Sequence, residues 1–537
     1  MQGNMPKALK KRASKQAYLS PSQLTLDGFE TPFEQKLDST NRWVKLAQQI
    51  PWDAIVTVYD QQMRNATTGA SHINPRVILG SLMIKHLCNL SDAETLLQIQ
   101  ENMYMQYFIG YCSFSKEAPF DSSLFVEIRK RLGIDQLNAI NEKIVELSAK
   151  HVNKNSDDNK TSGASKSKDD LNSATGDSNQ AEAFDTDSQP KGESEKTHKG
   201  RLLIDASACP QDIAYPTDLN LLNDSRMKAE ELIDVLYSPS LHGLKKPRTY
   251  REKARRFYLD TVMKRNKSRR EIRLSIGRQL RYLKRDLNYI QNMLVSYKGK
   301  SPLNEREQIY LKVIGDLYLQ QRKMYKERIH TIENRIVSIH QPHVRPIVRG
   351  KERAKVEFGA KIQVCLVNGY SFLDVLSWDA FNEGVTLLDA VDRYKRRTGC
   401  YPEEILADKI YCNRENRRIL KEKGIRLLAK PLGRPKAVDK EHVSPGERNP
   451  IEGKFGQAKA RYGLGRIKAR LSGTSESWIA SIILVLNLVK LAGQVPIALI
   501  KIFLKMVMWW TETILFRPDF FSRPYLSSCF FGFIPIF

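Results

Sequence analysis

Paired cysteines are missing from this sequence. The seven cysteines, Cys88, Cys112, Cys209, Cys365, Cys400, Cys412 and Cys529, include no C-x-x-C pair. That removes a structural zinc site and a disulfide framework, and it fits a reducing, cytoplasmic compartment. Acids are in short supply: 60 Asp and Glu stand against 86 Lys and Arg, a net charge of +26 over 537 residues. No apolar h-region follows the basic N-terminus MQGNMPKALKKRASKQ, so no secretory signal is expected and residues 1–32 read as a basic flexible arm. The apolar tail, 494–537, lacks the run of about 18 apolar residues that a spanning helix needs, because Lys501 and Lys505 interrupt it. Packing onto the preceding domain is its favoured reading, against a membrane-surface segment or an extension without a role.

The excess of positive charge points to a polyanionic partner, since Lys and Arg gain affinity for phosphates by displacing condensed counterions. A solvated, highly charged surface is the competing reading. At roughly 100 to 200 residues per domain the length allows about three to five units. Residues 33–150 read as an all-α domain. Asn74 and Pro75 form an N-cap with proline at the first helical position, Ser91 and Glu94 form a capping box, and Asp121 opens a helix for which Gly133 is the expected terminator. That last helix carries Arg129, Lys130 and Arg131 beside an apolar face of Leu124, Phe125, Ile128 and Leu132. A recognition helix of a helix-turn-helix and an ordinary amphipathic surface helix fit it equally. Between 151 and 200, Leu171 and Phe184 are the only large apolar residues among Ser, Asp, Lys, Asn and Gly. Such a stretch reads as a disordered linker, tethering the helical domain rather than packing it.

From Arg201 the pattern changes to short strands, RLLIDAS, FGAKIQVCLVNG, YSFLDVLSW, EEILAD and GIRLLAK, with helices expected at 385–397 and 414–423. Strands interleaved with helices give an α/β domain on a mixed sheet spanning 201–493. Residues 220–345 interrupt it with a basic helical segment. Ile272, Ile276, Leu280, Leu283, Leu287, Ile290 and Leu294 step by threes and fours, and a turn near Gly299–Pro302 implies an antiparallel hairpin with a second helix. Its outer face holds Lys264, Arg265, Lys267, Arg269, Arg270, Arg273, Arg278, Arg281, Lys284 and Arg285, a solvated face or a DNA-backbone contact.

Three acids are candidates for chemistry. Asp205 ends the first strand, Asp408 ends EEILAD, and Glu452 lies on a helix expected from Asn449. Carboxylates on apolar strands are costly unless they meet a cation, and phosphodiester cleavage needs carboxylate oxygens around metal ions about 3.5 to 4 Å apart. Singly, each strand acid reads as well as a water-facing residue or a helix N-cap. Arg448, Glu452 and Lys459, spaced by 4 and 7, share one helix face, which presents an acid between two cations or merely an i, i+4 salt bridge.

The runs LLIDASACPQDIAYPTDLNLLN, VEFGAKIQVCLVNGYSFLDVLSWDAFNEG, ILADKIYCNRENRRILKEKGIRL and RNPIEGKFGQAKARYGLGRI resemble the DDE transposases of bacterial insertion sequences, in the group numbered five and its near relatives. The resemblance extends from the N-terminal helical domain to about Gly493. In the signature Tyr-x2-Arg-x3-Glu-x6-Lys, Arg448, Glu452 and Lys459 match and Pro445 stands at the tyrosine position; Ala407, Asp408 and Tyr411 match Ala-Asp-x-x-Tyr. It implies an RNase H-like fold in which Asp205, Asp408 and Glu452 bind two Mg²⁺ or Mn²⁺ ions. It also implies double-stranded DNA as partner, both terminal inverted repeats and target, with Arg448, Lys459, Tyr411, Arg129, Lys130 and Arg131 as contacts and a homodimer in synapsis. No small-molecule substrate and no membrane enters this reading. Asp212, Asp218, Asp374, Asp379 and Glu383 match no family position and read as structural. An RNase H-like nuclease or resolvase, and an inactive DNA-binding remnant, are the alternatives.

Overall fold

The computed structural model describes residues 36–62, 73–157, 198–297, 301–348, 356–429 and 445–491. The basic arm at 1–32, nearly all of the 151–200 linker, and the 494–537 tail lie outside the described residues.

Among the described residues seven helices come first: α1 (Arg42–Gln49), α2 (Trp52–Gln62), α3 (Pro75–Leu87), α4 (Asp92–Glu101), α5 (Met103–Phe108), α6 (Leu124–Arg131) and α7 (Ile134–Asp157). Side-chain caps start several of them. Asn74 accepts from the Arg76 N–H ahead of Pro75, and Ser91 accepts from the Glu94 N–H, satisfying donors that have no partner inside the helix. Asp121 instead caps a turn through the Ser123 N–H, and α6 begins three residues later. Gly133 does not end α6 as a left-handed terminator; Leu132 takes the C-cap and α7 follows at once.

The sheet starts with β1 (Arg201–Pro210), then the chain leaves for α8 (Asp218–Leu236), α9 (Pro239–His242), α10 (Arg251–Val262), α11 (Arg269–Ser296) and α12 (Glu305–Glu327). It returns through β2 (Arg345–Val348), β3 (Val356–Val367), β4 (Tyr370–Ser377), α13 (Leu387–Thr398), β5 (Glu404–Leu406), α14 (Arg414–Glu422) and β6 (Arg426–Leu428), closing with α15 (Pro445–Arg461) and α16 (Ser472–Leu491). β1 lies antiparallel to β3 and parallel to β5, and β6 lies parallel to β5. β2 and β4 pair end to end along the other edge of β3. The mixed sheet expected from the sequence is present. β2, only four residues long, carried too little pattern to be read.

One face of the sheet is covered by α13 and α14, where Leu387, Val391, Tyr394 and Leu420 pack on Leu202, Ile204, Phe372 and Ile405. The opposite face does not meet solvent, nor a separate domain. Ile362, Val364 and Leu373 join the N-terminal helices and α16 in one continuous core. The helical domain is therefore packed, not tethered, because α16 is almost wholly buried between α3, α6 and α7 on one side and β4 on the other. A buried polar knot fixes this junction. The Asn487 amide donates to Asn141 (2.8 Å) and to the Ser371 carbonyl (2.8 Å), Asn141 donates to that same carbonyl (3.0 Å), and the Ser371 N–H donates back to Asn487 (2.7 Å). By length and composition α16 would suit a membrane span, but 83% of its apolar window is buried inside the protein, as in a core helix.

A second junction overturns part of the recognition-helix reading. Arg129 is buried, and its guanidinium donates twice to Asp92 (2.9 and 2.8 Å). Lys85, equally buried, pairs with the same carboxylate at 2.8 Å, and both cations lie over the Trp478 ring of α16 at 4.6 and 5.5 Å. Burial alone would raise the Asp92 carboxyl, but Arg129 and Lys85 outweigh it and hold it below the usual value. Arg129 is thus a structural residue with no reach to DNA. Lys130, ion-paired to Glu127, and Arg131 remain on the surface.

The basic insertion has its own core, in which Leu280, Leu283 and Ile290 of α11 meet Leu222, Ile233, Ile314 and Leu317. The expected partners α11 and α12 do pack on one another, but α8 and α10 join them in one cluster, and α11 packs chiefly on α8. Four of the ten outer cations are occupied internally. Lys264 pairs with Glu271, Arg273 donates to the Tyr325 carbonyl, Arg285 donates to the Thr249 carbonyl, and Arg278 lies over Phe257. Arg265, Lys267, Arg269, Arg270, Arg281 and Lys284 stay exposed.

Replacing Asp92 by Asn is expected to lower stability by about 3 kcal/mol, since Lys85 and Arg129 would remain buried without a counter-charge; equilibrium urea unfolding reads this as a lower midpoint. A second expectation concerns Asp286, fully buried in the insertion, whose oxygens lack hydrogen-bond partners and whose carboxyl burial pushes from 3.8 to about 7. The folded state holds this proton to higher pH than the unfolded chain, so stability falls as pH rises between those values and the penalty is complete above the upper one. Asp286→Asn should accordingly raise the melting midpoint by roughly several degrees at pH 8 and have little effect near pH 4. Equal shifts at both pH values would remove the assignment.

Candidate active site

Register brings the first two acids together. In the parallel pairing Leu203 stands opposite Leu406; Asp205 lies two residues beyond the first and Asp408 two beyond the second, so the register sets them side by side, although Asp205 sits in the middle of β1, which runs on to Pro210, and not at its end as the sequence suggested. Asp205 accepts the Ala206 N–H at 2.8 Å, and Asp408 caps a short 3-10 turn, Lys409–Tyr411, by accepting the Lys409 N–H at 2.8 Å.

Across them runs α15, which begins a turn earlier than expected and carries Pro450 inside it. Its repeat sets Arg448, Glu452 and Lys459 on one face, and all three line a cleft of about 710 Å³ together with Asp205, Asp408, Glu383 and Lys361. The Arg448 guanidinium stands between the aspartates, 3.6 Å from Asp205 and 3.2 Å from Asp408. The i, i+4 pairing of Arg448 with Glu452 is replaced by pairing across to the sheet. Burial pushes the Asp205 carboxyl up to about 6; the Ala206 N–H and Arg448 work against this, while Glu383 and Asp408 add to it. The cleft lining thus holds four carboxylates and three cations.

Comparison with known proteins finds two stretches of similarity. A transposase DDE domain model matches residues 405–489, and a second transposase domain model matches residues 31–131. The first match holds Asp408, Arg448, Glu452 and Lys459. Over these two stretches the chain is similar to DDE transposases. A curated relative, uncharacterized protein ORF8 in the nfe locus of Rhizobium meliloti, is 31% identical over 126 residues, which is 24% of this chain and 60% of that protein. The chain thus spans less than two thirds of that relative's length. No solved structure matches it.

Two residues of the candidate site differ from the expectation. Tyr411 is not at the DNA-facing surface: it is fully buried, packed with Leu387, Ile405 and Leu420, and its hydroxyl has no hydrogen-bond partner. The 3-10 turn reverses the chain after Asp408 and drives Tyr411 inward, where burial first, then Glu383 and Asp205, push its ionisation far up. Glu383, set aside as structural from the sequence, lies in the cleft instead. No spacing signal marks it, because it reaches the site from the turn between β4 and α13. The other acids set aside are engaged elsewhere: Asp374 with Arg397, Asp212 with Arg466, Asp218 with Arg335 and Asp379 with Arg345.

The donor set is made of carboxylate oxygens, which suits hard divalent cations. Among the described residues no three acids, histidines or cysteines stand close enough to grip one ion together; Arg448 occupies the space between two of them. Tyr411→Phe is expected to leave DNA affinity unchanged and to hold or raise stability by about 1 kcal/mol, since it deletes a buried hydroxyl without a partner. Gel-shift titration and thermal melting measure both, and a loss of DNA binding with an unchanged melt would restore Tyr411 as a contact.

Proposed function

We propose that this chain is the transposase of a bacterial insertion sequence, in the group numbered five and its relatives, with an RNase H-like catalytic core. It binds terminal inverted repeats, cleaves the element ends and joins them to target DNA, two copies acting in the synaptic complex, in the bacterial cytoplasm. The observation that carries this reading is the cleft where carboxylates from β1, from the end of β5 and from α15 face one another beneath cationic side chains.

Asp205, Asp408 and Glu452 would hold the Mg²⁺ or Mn²⁺ ions. When bound, such ions supply a nucleophilic oxygen at neutral pH and stabilise the leaving oxygen. The chain's own residues do the rest. Asp205 and Asp408 are fixed by backbone N–H groups of the residues that follow them, which pre-orients both carboxylates at the cleft. Arg448 and Lys459 offer cations to the phosphates flanking the scissile bond, and Lys361 adds a third positive charge on the sheet side. Lys130 and Arg131 serve as contacts of the N-terminal helices, without Arg129. The exposed cations of the insertion, Arg265, Lys267, Arg269, Arg270, Arg281 and Lys284, suit the DNA backbone because such contacts need charge but no base reading.

Asp408→Asn should reduce end cleavage by about a thousandfold or more while leaving binding to a terminal-repeat duplex intact, measured on labelled ends in Mg²⁺ or Mn²⁺. Normal cleavage by the variant would sink the assignment. Strand transfer from pre-cleaved ends separates a transposase from an RNase H-like nuclease, which lacks that step.

A further inference from the structure

Glu383 is the acid in the cleft that neither strand register nor the α15 signature accounts for, and its position is built. It opens the 3-10 turn Glu383–Val385, whose Gly384 N–H donates to Asn382 at 3.0 Å. Opposite sits the turn that Asp408 caps. One side chain of α14 ties the two: the Asn416 amide donates to the Gly384 carbonyl at 2.7 Å and to the Tyr411 carbonyl at 2.9 Å, with Asn413 adding a longer bond to the former. The turns touch so closely that a Cβ on Gly384 would stand 2.8 Å from the Ile410 carbonyl oxygen. The two turns that carry Glu383 and Asp408 are therefore tied together by the same asparagine.

From the sheet side Lys361, opposite Ala208 of β1, fixes the Glu383 carboxylate at 2.9 Å while also donating to the Phe381 carbonyl at 2.8 Å. Both side chains are mostly buried. Behind the group, the buried Tyr411 hydroxyl without a partner lies within electrostatic range of Glu383, Asp205 and Asp408. With Asp205, Asp408 and Glu452, Glu383 makes four carboxylates lining the cleft against the three cations Lys361, Arg448 and Lys459, a balance that leaves one negative charge for a bound cation to meet.

We propose that Glu383 is a fourth carboxylate of the cation-binding cleft, a positioning residue whose charge and free oxygen steady a divalent cation and its hydrating water, with Lys361 setting how much of that charge the cleft receives. The inference rests on the proposed cation role of Asp205, Asp408 and Glu452.

The test is Mn²⁺ binding alone, by calorimetry or by the loss of free-ion electron paramagnetic resonance signal, on the full chain without DNA. Glu383→Gln should weaken Mn²⁺ binding roughly tenfold, the scale set by residues that support metal ligands from outside. Glu383→Asp, which keeps the charge, should recover part of the loss. Lys361→Met should move affinity the opposite way, tightening it by releasing Glu383 from its ion pair. Melting curves in EDTA identify any variant that fails to fold, and the Glu383→Asp and Lys361→Met arms still decide the matter if Glu383→Gln does. Unchanged Mn²⁺ affinity in folded Glu383 and Lys361 variants, alongside a loss in Asp408→Asn, overturns the role of Glu383 and spares the cation reading. Equal Mn²⁺ binding by wild type and Asp408→Asn, or none by wild type, overturns both.

Discussion

Everything in this molecule leans on the burial of α16. Its side chains from Thr474 to Val489 are almost all out of solvent, although Ser475, Ser477, Ser481 and Asn487 lie among them. A helix that is apolar nearly all round must find partners on every side, and here it finds the N-terminal helices on one side and the sheet on the other. One polar exception and the one tryptophan act as connectors: Asn487 locks α7 to β4, and Trp478 underlies the cations that neutralise Asp92. The two matched family regions, far apart along the chain, meet on this helix.

The sheet converts that packing into a site. A parallel register between β1 and β5 sets two aspartates side by side, and α15, threaded between the sheet and α16, lays a third acid and two cations over them. None of these residues reaches far. The rise of the Asp205 carboxyl follows first from burial in the cleft wall, with Glu383 and Asp408 adding to it.

Much of this was legible in the sequence, and the limits have physical causes. Strand and helix periodicity marked β1, β3, β4, α13 and α14 closely, and the caps at Asn74 and Ser91 marked real helix starts, because these are local signals. Local spacing also put Arg448, Glu452 and Lys459 on one face. Tertiary contacts were invisible to it. Arg129 looks like a surface cation beside Lys130 and Arg131 until Asp92, 37 residues earlier, and Trp478, far later, enclose it. Tyr411 matched a family position, yet a three-residue turn decides which way it faces. Glu383 was passed over because it is brought to the cleft by a turn, where periodicity says nothing and only three-dimensional proximity counts. Polar composition in 151–200 suggested a loose tether, but what joins the two halves is helix packing elsewhere in the chain.

One consequence follows from the shared core. Since α7 is hydrogen-bonded to β4 through Asn141 and Ser371, the surface carrying Lys130 and Arg131 and the cleft carrying Asp205 sit on a single rigid frame. Under the proposed function, the span from the bases recognised to the bond broken becomes a fixed length of duplex, a ruler built into the protein interior. An element whose recognition sequence drifted by even one base pair from its terminus would present the wrong phosphate, rotated by about a tenth of a helical turn.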